Sequence, residues 1–158
     1  MTTPLHIASN NGYIEAMKLL IEHGADIESR NKRDKTPLHY AARLGHTYAM
    51  KLLMEHGADI NASDNWDRTP LHIASRDGHI KAMKLLIDHG ADVNAKNECN
   101  DTPLHDASSN GHIDAMKLLI DHGADINAKN EWNETPLQWA SCQGNIDAIA
   151  LLRANGAI

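Results

Sequence analysis

The sequence predicts an all-α solenoid of stacked helix-turn-helix units joined by hairpin-like loops. Three observations predict it. The tetrapeptide Thr36-Pro37-Leu38-His39 recurs as Thr3-Pro4-Leu5-His6, Thr69-Pro70-Leu71-His72 and Thr102-Pro103-Leu104-His105, then as Thr135-Pro136-Leu137-Gln138, each copy 33 residues from the last. All ten Gly, all five Pro and all eleven His fall at positions set by that period. The stretch after each tetrapeptide carries two short helical patterns and then a polar exit. A constant period of this size marks one supersecondary unit stacked many times, each unit touching only its neighbours. The 158 residues thus divide into five units, 1–30, 31–63, 64–96, 97–129 and 130–158, within one elongated domain that has no internal linker.

One unit shows why the elements form. Thr102 is an N-cap, its hydroxyl able to accept an orphan N–H of the first turn. Pro103 follows at the first helical position, where a missing N–H costs nothing. Leu104, Ala107 and Ser108 give a narrow face of small residues that lets neighbouring helices approach closely. Gly111 ends this helix of about two turns in the left-handed conformation; alone, so short a helix would not persist. The second helix runs from Ile113 to His122. Ile113, Met116, Leu119 and Ile120 make an apolar stripe at spacings of three and four, so they face a core. Lys117 lies opposite, paired with Asp114 three residues earlier. Gly123 stops the helix, and Ala124-Asp125-Ile126-Asn127 leads out through an extended turn.

The first unit lacks the lead-in arm yet keeps internal apolar choices at Ile7, Ile14, Met17 and Ile21, as a piece of a longer array or a lightly capped designed chain would. Units two to four share the core pairs Leu52-Leu53, Leu85-Leu86 and Leu118-Leu119, with Met50, Met83 and Met116 alongside as repeated core filler. The last unit turns polar: Gln138, Asn145, Arg153 and Asn155 stand where its predecessors have His, His, an apolar residue and His.

Composition narrows the function. A formal charge of −6 gives no cationic footing for duplex phosphates. Two cysteines, Cys99 and Cys142, make no disulfide framework and read as free thiols of a soluble protein in the cytosol or nucleus. No apolar run is long enough to span a bilayer. The histidines suggest metal, but copies in neighbouring units stand about 8–10 Å apart, the distance between packed helices, whereas metal–nitrogen bonds are near 2 Å. Each motif His is instead expected to bond local backbone and tie turn to helix. Ser75, Ser108 and Ser141 share one repeat position, so none has the private base and orienting group that a nucleophile needs. No phosphate-cradling Gly-rich loop is present. The expectation is no enzyme, no cofactor and no metal.

Thr-Pro-Leu-His-x-Ala, the Gly-His after the first helix and Leu-Leu-Ile-x-His-Gly-Ala-Asp-Ile-Asn together resemble the ankyrin repeat, in five copies along the whole chain. One departure recurs. Where that family usually has a turn Gly, two residues before the Thr, this chain has Asp34, Asp67, Asn100 and Asn133. Asp and Asn are the side chains best able to hold a positive φ, so the turn should persist. Asn61, Asn94 and Asn127 match the site that asparagine hydroxylases modify in some members.

The resemblance implies a protein-binding scaffold whose turn tips and first-helix face form a concave surface. Positions that vary between units are the ones free to specify a partner. They comprise Lys32, Arg33, Lys35, Trp66, Arg68, Glu98, Asp101, Glu131 and Trp132 on the tips, with Tyr40, Arg43, Arg76, Asp106 and Trp139 on the first helices. Tryptophan and arginine are frequent interface anchors. The charges are ordered, with cations in the N-terminal half and carboxylates in the C-terminal half, which would orient a partner of opposite order. The expected partner is another protein or peptide bound by a monomer, with no nucleic acid and no membrane. The other reading is a designed or fragment repeat scaffold with no evolved partner.

Overall fold

Ten α-helices form across residues 1–158 of the computed structural model, and no strand does. They are α1 (Pro4–Asn11), α2 (Ile14–Glu22), α3 (Pro37–Arg43), α4 (Thr47–Glu55), α5 (Pro70–Arg76), α6 (Ile80–Asp88), α7 (Pro103–Ser109), α8 (Ile113–Asp121), α9 (Pro136–Cys142) and α10 (Ile146–Ala154). Odd-numbered helices pack in one row and even-numbered helices in a second, and each odd helix also packs on the even helix that follows it. No helix is long and apolar enough to cross a membrane.

Helices of seven to nine residues are marginal in isolation, so the rows must stabilise them. Ala41, Ala42, Ala74, Ala107 and Ala140 on the first helices are fully buried, as are Met50, Met83 and Met116 on the second helices. These side chains belong to one continuous core that threads all ten helices. The methionines are thus core filler, as their recurrence suggests.

Every first helix begins with the same reciprocal cap. The Thr side chain faces the backbone N–H three residues on, and the side chain there reaches back to the Thr N–H. This arrangement usually employs Glu or Gln; here histidine Nδ1 accepts from Thr3, Thr36, Thr69 and Thr102 at 3.1–3.2 Å. The opposite edge of each ring, Nε2, donates to a backbone carbonyl 29 residues ahead: Lys35, Arg68, Asp101 and Glu134 at 2.8–3.2 Å. Gln138 keeps only the capping half, its Oε1 accepting from Thr135 N at 2.8 Å.

A second ladder runs the other way. His46, His79 and His112 donate through Nε2 to the carbonyls of Asn10, Arg43 and Arg76, at the ends of the preceding first helices. Asn145 makes the equivalent bond to Ser109. A third ladder uses Asn61 and Asn94, whose amides donate to Gly90 O and Gly123 O while accepting from Asp92 N and Asp125 N. The expected extended turns close by backbone bonds instead of strands: Asn31 N to Lys35 O, Asp64 N to Arg68 O, Asn97 N to Asp101 O and Asn130 N to Glu134 O. Asp34, Asp67, Asn100 and Asn133 hold φ of 53–62°, the strained turn conformation anticipated for them.

Gly45 shows how tightly the second ladder constrains its neighbour. Its φ is +67°, and a Cβ there would lie 2.9 Å from Nδ1 of His79. Gly57 has φ +87° but nothing within 4 Å. Gly57→Ala should therefore cost about 1–2 kcal/mol of backbone strain. Gly45→Ala should cost at least about 1 kcal/mol more, because the ring must also move. Urea unfolding of the two variants measures the gap, and equal costs would show that the His79 ring yields freely.

Candidate partner-binding surface

The tips owe their shape to one polar residue each, buried in three of them and partly buried at Asn97. Asn31, Asp64, Asn97 and Asn130 open successive tips, and each uses Oδ1 to accept two tip N–H groups, two and four residues later. Successive tips are then joined by backbone bonds: Asn65 N to Arg33 O, Glu98 N to Trp66 O and Glu131 N to Cys99 O. The tips thus form a continuous ribbon beside the row of first helices, and side chains presented from it have defined places. None of these four is among the variable residues that the sequence marks as contacts. Their signal was available, since only Asn and Asp occupy the position.

At the N-terminal end Lys32, Arg33 and Arg43 are exposed, and Lys35, Arg68 and Arg76 are partly buried. The crowding is physical. Burial, and then the charges of Arg68, Arg76 and Arg43, lower the Lys35 pKa, against the pull of Asp64. Asp64 is buried and carries most of the counter-charge, bound by Arg68 Nη2 at 2.8 Å, with Lys35 Nζ at 4.0 Å. Arg76 is engaged with Asp77 at 3.0 Å, which raises its pKa. Tyr40 is held in place: its ring meets His6 edge-on, its hydroxyl accepts from Asn31 Nδ2 at 2.8 Å, and Arg43 lies over its face.

The two tip tryptophans differ although their positions are equivalent. Trp66 is half-covered, with the Arg68 guanidinium 4.5 Å and the Arg33 guanidinium 5.7 Å from its ring centroid. Trp132 is 57 % exposed. Residues at the corresponding places beside it are Cys99 and Glu134, neither of which can supply a cation. Trp66 therefore folds onto its own neighbours, whereas Trp132 stands open.

At the C-terminal end Glu98 and Glu131 are exposed, and Asp106 and Trp139 are partly buried. Asp101 departs from the expectation of an accessible contact residue. It is 5 % exposed, and its carboxylate accepts from the amides of Asn130 at 3.0 Å and Asn97 at 3.4 Å. It supports the surface from beneath. Trp139 is fixed edge-on against His105, with Nε1 donating to Glu134 Oε2 at 3.0 Å.

The histidines are committed to structure. His23, His56, His89 and His122 donate Nδ1–H to carbonyls one turn back, and the other seven join the ladders above. No group of three or more His, Cys, Asp or Glu is placed to hold a metal ion. In the motif His the geometry demands a neutral ring, because Nδ1 faces an N–H and must accept while Nε2 faces a carbonyl and must donate. Burial accordingly pushes the His39 and His72 pKa values down to about 4, and those of His6 and His105 in the same direction. A pKa below the unfolded value of 6.5 means that the unfolded chain takes up the proton first. Stability is full above pH 6.5 and is lost as pH falls toward 4, by about 3 kcal/mol for each fully shifted ring. His72→Gln keeps the cap, as Gln138 does, but loses both the bond to Asp101 O and the proton uptake. It should be less stable than the parent at pH 7, with the gap narrowing by pH 4.5. Denaturant titrations at the two pH values decide it; a constant gap would mean that His72 does not titrate on unfolding.

A family model described as ankyrin repeats matches in three copies, over residues 1–64, 61–130 and 95–158, which together span the chain. The first copy carries α1–α4, the second α5–α8 and the third α7–α10. No curated protein matches.

Proposed function

The chain belongs to the ankyrin-repeat family, whose members are generally protein-interaction modules and typically not enzymes; on that premise we propose that it holds an extended segment of one partner protein along its tips and first-helix face. The single observation that carries this is the contrast between Trp132 and Trp66. An indole 57 % exposed on a rigid tip has an apolar surface that a partner can cover, and tryptophan is among the side chains that contribute most when buried at an interface.

The contact residues of this reading are Lys32, Arg33, Lys35, Tyr40, Arg43, Trp66, Arg68, Arg76, Glu98, Asp106, Glu131, Trp132 and Trp139, with Asp101 behind them. Their charges divide between α5 and α7. A partner segment with carboxylates over the Arg33–Arg43 end and cations over the Asp106–Glu131 end would be steered and oriented. First helices repeat at about 8–10 Å and an extended peptide advances about 3.3 Å per residue, so roughly three partner residues correspond to one unit. The same reading has the protein working as a monomer in the cytosol or nucleus, without nucleic acid, metal or cofactor.

Selection of a displayed random-peptide library on the immobilised chain tests this. Enriched peptides should lose at least about ten-fold in affinity with Trp132→Ala, the size of one interface anchor. Arg33→Glu with Arg43→Glu should slow their association at low salt. A library that yields no enriched peptide, or peptides indifferent to all three substitutions, would favour a repeat scaffold with no evolved partner.

A further inference from the structure

Resting on the binding reading above, we propose that the cations joining tips 31–35 and 64–68 form a subsite for a phosphorylated side chain, phosphoserine or phosphothreonine, at the Arg33 end of the partner segment. A chain of contacts holds them together. The guanidinium carbons of Arg33 and Arg68 lie 5.7 Å and 4.5 Å from the Trp66 ring centroid. Arg68 Nη2 at 2.8 Å and Lys35 Nζ at 4.0 Å then converge on a single oxygen, Oδ2 of Asp64. The places of Arg33 and Lys35 are taken by Cys99 and Asp101 in the third tip and by Trp132 and Glu134 in the fourth, so the convergence occurs once in the chain.

The turn itself does not call for an acid at its opening position. Asn31, Asn97 and Asn130 fold the same turn with an amide oxygen. Asp64 is the one acid among the four, and what it adds is a second acceptor oxygen, which takes Nε and Nη2 of Arg68 at 3.2 and 2.8 Å. The Asp64 residue is 3 % exposed, and a charge so buried must be compensated. Asp64 and Arg68 therefore fix one another, and the guanidinium is held in one orientation beside the Trp66 ring, where a cation is also attracted by the indole face.

Asp64 has no capacity for a second cation. Its Oδ1 accepts from the N–H groups of Trp66 and Arg68 while Oδ2 takes the guanidinium, and Lys35 Nζ at 4.0 Å is beyond hydrogen-bond reach. The Lys35 ammonium makes no hydrogen bond although its side chain is only 14 % exposed, and the exposed Arg33 guanidinium makes neither a hydrogen bond nor an ion pair. Asp34 and Asp67, exposed at the positive-φ turns, pair with none of the three cations. The charges of Arg43 on α3 and Arg76 on α5 bear on Lys35 as well, Arg76 being itself held by Asp77. Three cations thus share one carboxylate, and the donors of Lys35 and Arg33 are free. A phosphoryl group carries close to two negative charges and three acceptor oxygens, which match that excess and those donors, and guanidinium is shaped for its oxygens. A carboxylate supplies half the charge, and a hydroxyl none.

The test titrates the protein with N-acetylphosphoserine amide at low salt, where charge is least screened, and reads the indole N–H signals by NMR, with Trp66 assigned through Trp66→Phe. The expected result is a saturable shift at Trp66, with an apparent affinity at least about ten-fold higher than for N-acetylglutamate amide and no shift with N-acetylserine amide. Arg33→Gln and Lys35→Gln should each weaken the response at least about five-fold, while the remaining amide spectrum shows the fold unchanged. Lys81→Gln, which removes an equal charge from an exposed place on α6, should leave it as it was. Glutamate matching phosphoserine, a response indifferent to Arg33→Gln and Lys35→Gln, or one equally sensitive to Lys81→Gln would overturn the subsite. A library peptide that binds through Trp132 should gain at least about ten-fold from a phosphoserine at its Arg33 end. If no position there gives a gain while inorganic phosphate shifts Trp66, the occupant is free phosphate, which overturns the proposal and leaves the binding reading intact.

Discussion

Each motif histidine is a bridge whose two ends must be satisfied together, and the architecture depends on that. Nδ1 closes the cap of its own helix, and Nε2 takes a carbonyl of the next tip. Protonation of Nδ1 ends its acceptance from the Thr N–H, and displacement of the ring breaks both bonds at once. A cap is ordinarily a local matter, worth about 1 kcal/mol to one helix. Here the same side chain makes the first turn of a helix conditional on the neighbouring unit being in place. Helices of seven residues that would not persist alone are thereby coupled through polar bonds as well as through the continuous core of buried alanines and methionines.

This coupling frees the rest of the surface. Because caps, ladders and core recur almost unchanged through the first four units, the exposed residues of the tips and first helices are left free to vary. They can differ from unit to unit: Lys32, Asn65, Glu98 and Glu131 at one position, and Tyr40, Asp106 and Trp139 at another, where Ile73 alone is buried. The ribbon of tip-to-tip backbone bonds fixes where those side chains start. A rigid platform with variable side chains loses little conformational freedom on binding, which favours affinity without large area.

The fold was legible in the sequence because its determinants are local and repeated. Thr102 and Pro103 announce a helix start, Gly111 its end, and Asn100 a turn with positive φ, and each of these depends only on a few adjacent residues. The surface was legible in outline and not in detail, because its details depend on partners one unit away. Trp66 and Trp132 look alike until their neighbours are compared: Arg33 and Arg68 cover the first, whereas Cys99 and Glu134 leave the second bare. Asp101 and Asp106 look like two acids of one kind, yet the tip buries the first among amides and leaves the second unpaired. The openers Asn31, Asp64, Asn97 and Asn130 carried a plain periodic signal, obscured because polar residues in turns attract no notice.

The strict offset of the histidine bridges has an evolutionary consequence. Donor and acceptor lie 29 residues apart in every instance, inside a period of 33. Excising residues 64–96 would bring His39 opposite the carbonyl of Asp101 instead of Arg68, an acceptor of identical geometry. Duplication of such a segment would likewise create junctions already proven elsewhere in the chain. Genes encoding this pattern can therefore lengthen or shorten by recombination in steps of one unit, each product inheriting compatible joints and a reshuffled face.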